Sequence, residues 1–441
     1  MALFACVQLS LATRACAKII SVEALPPAFE ENPPYGAIVR EIRVEGNEHT
    51  EASVILGVLK SQIGQPYTQE NAHLDHFWVF RMGAFTSVSF RTEELADGIA
   101  LIVSVHESTP YVPRMGFSYS SDDGLKIGPV IASRNLLRTA SEAWGYYLFG
   151  RMQDAGVGYT EPQLPGRESS AVRVSASYRH LQRTNELSDF KEKTNAAYLE
   201  LMRTAWSDFR TGIRLRYLNL HADRDGITLD SDRSDIIPSI GVFMQVDSRN
   251  WIYPTGGWFL DLEASRYGLF AENGDWWRLD ADLRKYAQLP FASERHSLAF
   301  TSYASLQNGT IGETIPVHQE FFIGGTNSVR GWREGSRHGK NQWLATLEYR
   351  IRLMEQREWR FWFIKWSMGM QCSIFGDVGT VWSEPEQLQH NVIGGYGTGL
   401  RLTGPEGTSL RFDLAYGEQG LGFRFYLGAG ERAEVQKTRL R

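Results

Sequence analysis

One segment concentrates residue types suited to holding a charged partner. It reads Phe321-Phe322-Ile323-Gly324-Gly325-Thr326-Asn327-Ser328-Val329-Arg330-Gly331-Trp332. Gly324, Gly325 and Gly331 permit backbone conformations that side chains forbid. Arg330 is a permanent cation with five donors in a planar fork, the shape that grips a carboxylate. An Arg-Gly pair on a loop is equally compatible with a solvated side chain, so its chemistry depends on what the fold brings to it. Enzymatic patterns are poor. His73 and His76 flank Asp75 at helical spacing with no third ligand nearby, which reads as a solvated helix face rather than a metal site. Gly395, Gly397 and Gly399 recur with a period of two, which suits a lumen-facing or kinked strand and not a dinucleotide loop. No G-x-S-x-G elbow occurs. Catalysis is not expected, and neither a cofactor nor a metal is called for.

Composition narrows what can position these residues. The 441-residue chain carries 46 Lys plus Arg against 51 Asp plus Glu, a net charge of −5 that excludes a strongly basic nucleic-acid binder. With 42% hydrophobic and 22% charged residues, wholesale disorder is excluded too. Aromatics at 12% and 42 Gly against 16 Pro suit an all-β protein. Beyond the N-terminus no apolar run is long enough for a transmembrane helix, which leaves a transmembrane barrel open because its strands alternate. The opening Ala2–Ala12 is apolar and Ala15-Cys16-Ala17 resembles a cleavage site, so residues 1–17 read as a signal peptide. The missing basic residue before Arg14 leaves a disordered or mis-started N-terminus as the alternative. Cleavage would remove Cys6 and Cys16 and leave Cys372 alone, on an apolar strand face where it packs rather than reacts. Residues 18–37, with Pro26, Pro27, Pro33 and Pro34, read as a linker.

Residues 38–107 form a small α/β unit. Ile38–Val44 alternates like a strand, and Thr50 is placed to cap a helix carrying Val54, Ile55, Val58 and Leu59. Thr68 opens a second helix, and 85–90 and 99–105 are two further strands. This β-α-α-β-β order, with its Val44-Glu45-Gly46-Asn47 turn, resembles a POTRA domain.

From 111 to 428 short alternating segments follow one another, divided by Gly, Asp and Asn turns. We count sixteen, the first at 114–120 and the last at 420–428, with about 20 residues per strand and connection, as a membrane barrel requires. Faces are legible. Trp258, Leu260 and Leu262 oppose Phe259, Asp261 and Glu263; Trp277, Leu279 and Leu283 oppose Arg278, Asp280, Asp282 and Arg284; Leu421, Phe423, Phe425 and Leu427 oppose Gly422 and Arg424. A soluble sandwich also alternates. Charges on one side of successive long strands favour a barrel, since a charge facing lipid at the midplane costs about 2–4 kcal/mol. An even strand count returns both ends to one side. A basic, disordered tail at 429–441 completes the chain.

The Gly-Gly-x-x-Ser-Val-Arg-Gly-aromatic string resembles the sixth-loop signature of the outer-membrane protein insertase superfamily, the BamA/TamA family, whose members join POTRA modules to a sixteen-stranded barrel. The resemblance implies that the loop folds back into the lumen and that Arg330 meets acidic residues on the next two strands. Glu348, in Leu347-Glu348-Tyr349, and Asp377, in Phe375-Gly376-Asp377-Val378-Gly379, match those positions. Strand parity agrees independently: Glu348 lies with Arg350 and Arg352 opposite Leu347, and Asp377 with Gln371 and Ser373 opposite Ile374. Arg134-Asn135-Leu136-Leu137 resembles an early-barrel turn of the family. Gly420, Phe423 and Phe425 fit the C-terminal signal by which such barrels are recognised, although here the chain continues past it.

The implied function is insertion or templating of client proteins in an outer membrane, bacterial or, as the second choice, organellar, with the POTRA module in the periplasm. A two-partner secretion pore is the alternative, and a passive diffusion barrel, which has no use for a POTRA module, the third. The implied partners are outer-membrane or secreted client polypeptides, the bilayer, and periplasmic chaperones or accessory subunits, but no nucleic acid.

Overall fold

A computed structural model describes residues 20–21, 29–30, 32–82, 84–107, 111–120, 124–162, 172–185, 190–205, 209–249, 254–270, 274–289, 293, 295–361, 364–403, 408–418 and 420–429. The expected signal peptide, much of the 18–37 linker and the tail beyond Ala429 lie outside the described residues.

The small domain holds β1 (Val39–Glu45), α1 (Ala52–Leu56), α2 (Gln69–Arg81), β2 (Phe85–Leu95) and β3 (Gly98–Glu107). β3 is central, parallel to β1 and antiparallel to β2. Its run Ile99-Ala100-Leu101-Ile102-Val103 is buried throughout, the pattern of a strand covered on both faces. Ile55 of α1, Val79 of α2 and Val88 and Phe90 of β2 close the core over it. Two expectations are corrected here. Thr50 does not cap α1: its hydroxyl (2.6 Å) and its backbone N–H donate to Glu107, as does the N–H of His49. The helix begins one residue too late for Thr50, with Glu51 at the N-cap, and the Thr50 hydroxyl oxygen accepts instead from Asn135 Nδ2. Burial alone would raise the Glu107 carboxyl; the hydrogen bonds from Thr50 and His49 outweigh it and hold it below the usual carboxylate range. The His73-Asp75-His76 stretch is a solvated face only in part: His73 is exposed and His76 half-buried. Asp75 is fully buried and accepts from the backbone N–H groups of Lys60 and Ser61, tying α2 to the turn before it. Burial raises the Asp75 carboxyl despite those bonds. Among the described residues no cluster could hold a metal ion. Thr68 does cap α2, accepting from the Asn71 N–H at 3.1 Å.

Sixteen antiparallel strands follow. They are β4 (Tyr111–Ser120), β5 (Gly124–Arg134), β6 (Glu142–Gly150), β7 (Gln153–Glu161), β8 (Val172–Asn185), β9 (Phe190–Thr204), β10 (Phe209–Ala222), β11 (Ser234–Asp247), β12 (Gly257–Tyr267), β13 (Trp276–Gln288), β14 (His296–Gln307), and then, after the long loop, β17 (Asn341–Phe361), β18 (Ile364–Trp382), β19 (Ile393–Thr403), β20 (Thr408–Gly417) and β21 (Gly420–Ala429). Within the loop, β15 (Phe321–Ile323) and β16 (Arg337–Gly339) make a short hairpin. Each barrel strand pairs with its neighbours in chain order, and β14 pairs with β17 across the loop. The exception is the first and last strands. β4 and β21 share two residue pairs, Ser120–Tyr426 and Tyr119–Leu427. The sheet curls round on itself without becoming a fully closed cylinder.

The sheet is inside out relative to a soluble protein. Ile213, Leu215, Val242, Met244, Leu262, Leu279, Leu347 and Ile374 are exposed on the outer wall, with Trp258, Trp277 and Trp343 among them. Arg210, Arg214, Asp261, Glu263, Asp282, Arg284, Glu348 and Arg350 are buried within. Arg214 of β10 bridges Glu200 of β9 to Asp261 and Glu263 of β12. That distribution suits lipid outside and a polar interior. No helix among the described residues is long and apolar enough to cross a membrane.

One hairpin outruns the wall. β17 stops pairing with β14 at Ile351 and β18 with β19 at Gly369, yet β17 and β18 continue together to Phe361–Ile364. The sequence reading ended these strands at 354 and 366, because register shifts between Arg352 and Met354 and between Met354 and Arg357 break the alternation it followed. At the rim bearing the small domain, the β5–β6 turn grips the domain. Asn135 Nδ2 donates to Thr50 Oγ1 (2.8 Å), Arg138 Nε to the His49 carbonyl (2.9 Å) and the Glu51 N–H to the Arg138 carbonyl (3.0 Å).

Candidate functional site

The loop 308–340 returns into the interior of the sheet. Its Gly324 and Gly325 adopt φ of +107° and +92°, and a Cβ on Gly324 would lie 2.0 Å from the Arg333 carbonyl oxygen, so only glycine makes this turn. The turn is locked locally: the Gly324 N–H donates to Ser328 Oγ (2.8 Å) and the Gly325 N–H to the Trp332 carbonyl (3.0 Å). Val329 is buried with Tyr303, Phe321, Ile323, Leu344, Val381 and Ile393, pinning the loop tip to the inner wall.

Arg330 is fully buried, and three carboxylates surround it. Its Nε and Nη2 donate to the two oxygens of Asp377 at 2.8 and 2.9 Å, and its backbone N–H adds a third bond at 3.1 Å. Nη2 also donates to Glu348 Oε1 at 3.1 Å, and Nη1 stands 3.3 Å from Asp413 Oδ2. The guanidinium carbon lies 3.2 Å from the centre of the Phe375 ring. Each carboxylate is shared. Glu348 also binds Arg401 (2.6 Å) and Arg350 (2.9 Å), Asp377 accepts from Thr346 Oγ1 (2.9 Å), and Asp413 binds Arg411 Nε (2.9 Å). Arg411 closes the circuit by donating to the Thr326 carbonyl (3.0 Å) and Asn327 Oδ1 (3.3 Å).

The wall is hollowed to receive the loop. A Cβ on Gly395 would lie 1.9 Å from the Arg330 carbonyl oxygen, and one on Gly331 (φ +89°) 2.6 Å from the Tyr416 backbone. The period-two glycines of β19 thus face inward, as their spacing suggested. Trp332 donates its indole N–H to the Gly394 carbonyl at 2.7 Å.

The structure brings together Arg330, Glu348 and Asp377, with Gly324, Gly325, Val329, Gly331 and Trp332 as their frame. Gly420 (φ +76°) makes the turn into β21, where Phe423 and Phe425 stand in register with Leu414 and Phe412; their side chains lie outside the described residues. The sequence reading missed Asp413, Arg401 and Arg411. The same parity rule finds them: Arg411 and Asp413 share a face opposite Leu410, Phe412 and Leu414. Cys372 is half-buried in β18, on the alternation opposite Asp377.

Residues 135–433 match the family profile described as the Omp85 superfamily domain, and residues 37–108 match the POTRA profile, described as surface antigen variable number repeat. Outer envelope protein 80 of the Arabidopsis thaliana chloroplast is 32% identical over 140 residues, covering 29% of this chain; the match spans 17% of that protein. The structure is similar to BamA from Haemophilus ducreyi lacking POTRA domains 1–3, at TM-score 0.62 and 18% identity over 93% of this chain and 89% of that one. It is also similar to CdiB from Escherichia coli, at TM-score 0.60 and 14% identity over 89% of this chain and 76% of that one.

Proposed function

The chain belongs to the Omp85 superfamily, and from that premise we propose that it is an assembly factor that templates the insertion of client β-strands at its own first–last strand seam. Members of the superfamily handle client polypeptides in the outer membrane, with POTRA domains in the periplasm.

The observation that carries the reading is the seam. Every other neighbouring pair of barrel strands shares seven or more residue pairs, whereas β4 and β21 share two. At roughly 0.5–1.5 kcal/mol net per hydrogen bond, parting such a contact costs a few kcal/mol at most. The freed edges carry unpaired N–H and C=O groups, which an incoming strand can satisfy. Meanwhile the interior is occupied by the Arg330 loop, tied down by charged contacts to three strands. A weak lateral edge beside a filled interior favours insertion at the side over passage through the middle. No energy source is required, because the client's own strand pairing drives the step. The likeness to CdiB keeps a two-partner secretion role as the second reading.

A photo-crosslinker at Leu421, which is exposed on β21 beside the seam, tests the choice. Captured barrel precursors support insertion. An extended secreted polypeptide captured instead by a crosslinker at inward-facing Phe259 supports secretion and overturns it.

A further inference from the structure

The β17–β18 hairpin outruns the wall, and its register divides it into two faces. Both register shifts add residues to β17, which takes five steps from Arg352 to Arg357 while β18 takes three from Gln371 to Met368. β18 therefore keeps a single alternation along its length. Ser373, Phe375 and Asp377 are buried on one of its faces, and Ile374 is exposed on the other, the lipid-facing wall. Towards the turn, the same alternation groups Cys372, Met370, Met368, Trp366 and Ile364 with Ile374, and Gln371, Gly369, Ser367 and Lys365 with Asp377. Cross-strand pairing carries the division to β17. Trp359 stands opposite Trp366 and Phe361 opposite Ile364, whereas Arg360 stands opposite Lys365 and Glu358 opposite Ser367. A third strand segment keeps to it: Ile20 pairs with Phe361 and Ser21 with Arg360.

Along β18, the apolar stripe of the wall thus continues for five residues, about 17 Å, past Gly369, where pairing with β19 ends. Strand alternation puts this end on the rim that bears the small domain. A contiguous apolar face outside the wall marks an interaction site. Its composition suits a bilayer surface: tryptophan concentrates at membrane interfaces, and Lys and Arg combine apolar stems with charges that reach headgroups. The two register shifts lie where β17 leaves the wall, and such bulges bend a strand.

We infer that the hairpin turns outward at these bulges and lies on the periplasmic leaflet as an interfacial anchor, with the face of Trp359, Phe361, Ile364 and Trp366 against phospholipid. Continuity with the lipid-facing wall assigns that face to the bilayer rather than to a protein partner. The anchor holds the barrel four strands away from the last strand, β21, and so leaves the seam free. It needs only the lipid-facing wall, whatever the barrel handles.

The test uses the full chain carrying Cys6→Ser, Cys16→Ser and Cys372→Ser, reconstituted in vesicles of phosphatidylethanolamine and phosphatidylglycerol. An environment-sensitive dye is attached at Ile364→Cys or, on the opposite face, at Lys365→Cys, with folding read from unheated gels. Lipid bearing a nitroxide near its headgroup should quench the dye at 364 and leave the dye at 365 bright. Trp359→Ala/Trp366→Ala gives up the burial of two indoles and should lower the docked-to-free ratio by roughly a hundredfold, so that quenching at 364 is lost. Equal quenching at the two positions, or quenching that survives the double substitution, overturns the anchor. So does an unquenched dye at 364, and a protein captured by a photo-crosslinker at that position would then assign the face to a partner.

Discussion

Truncating Asp377 to alanine removes the acceptor of four bonds: three from Arg330, at 2.8 to 3.1 Å, and one from Thr346 at 2.9 Å. Arg330 has no exposed surface, so its charge cannot turn to water. Breaking one partner of a buried ion pair costs about 3–5 kcal/mol. Here Glu348 and Asp413 remain beside the guanidinium, so we expect the lower end, about 3 kcal/mol, or roughly a hundredfold rise in the loop's released population. Arg333, Arg337 and Lys340 are trypsin sites within the same loop. Limited trypsinolysis of the folded barrel in micelles reads that population directly when reclosing outpaces cleavage. Asp377→Ala should raise cleavage at 333–340 by about two orders of magnitude; Asp377→Asn, which keeps a neutral acceptor, should fall between it and the wild type. In Arg330→Ala/Asp377→Ala the two costs should sum to less than the single variants imply, because one interaction is lost twice. Unchanged cleavage in Asp377→Ala, in a barrel that still folds, would refute the assignment of Asp377 as the loop's principal anchor.

Three further outcomes follow from the geometry. Gly395→Ala places a methyl group 1.9 Å from the Arg330 carbonyl oxygen, and the overpacking should cost about 1–3 kcal/mol, seen as lower folded yield on unheated gels. Asp413→Asn weakens the contacts to Arg330 and Arg411 and should release the loop less than Asp377→Ala does, since Asp377 takes three bonds from Arg330; a larger trypsin effect would reverse that ranking. Burial pushes the His76 imidazole below its ordinary value, partly offset by a hydrogen bond with the Val88 backbone, with nearby His73 adding to the lowering. The unfolded chain therefore takes up a proton below about pH 6.5 before the folded domain does. The contribution of His76 to POTRA stability is full above that pH and is lost as the pH falls through the lowered folded value. Hydrogen exchange of β2 amides at pH 7.5 and 5.5 checks this, and His76→Phe should remove the difference.

Much of this architecture was legible because a membrane barrel writes its faces into the chain. Phe259, Asp261 and Glu263 could be assigned to the interior by alternation alone, and they are buried. Glu348 and Asp377 could be aimed at the interior the same way, and the Gly-Gly-x-x-Ser-Val-Arg-Gly string supplied their partner. Alternation gives a side chain's face but not its neighbours, so Asp413, four strands on from β14, stayed unlinked to Arg330 until the sheet was curled. The extension of β17 past Met354 was hidden by register shifts, which move side chains off the period that reading follows. The cap expected of Thr50 fails because its partners, Glu107 and Asn135, lie 57 and 85 residues away, where no local rule reaches.

The lateral-insertion account is tested most directly by locking the seam. Tyr119 and Leu427 are paired in register, so Tyr119→Cys/Leu427→Cys, in a Cys372→Ser background, can bridge β4 to β21 under oxidation. The account predicts that the oxidised barrel stops inserting client strands and that reduction restores insertion. Undiminished insertion through the locked barrel would contradict it.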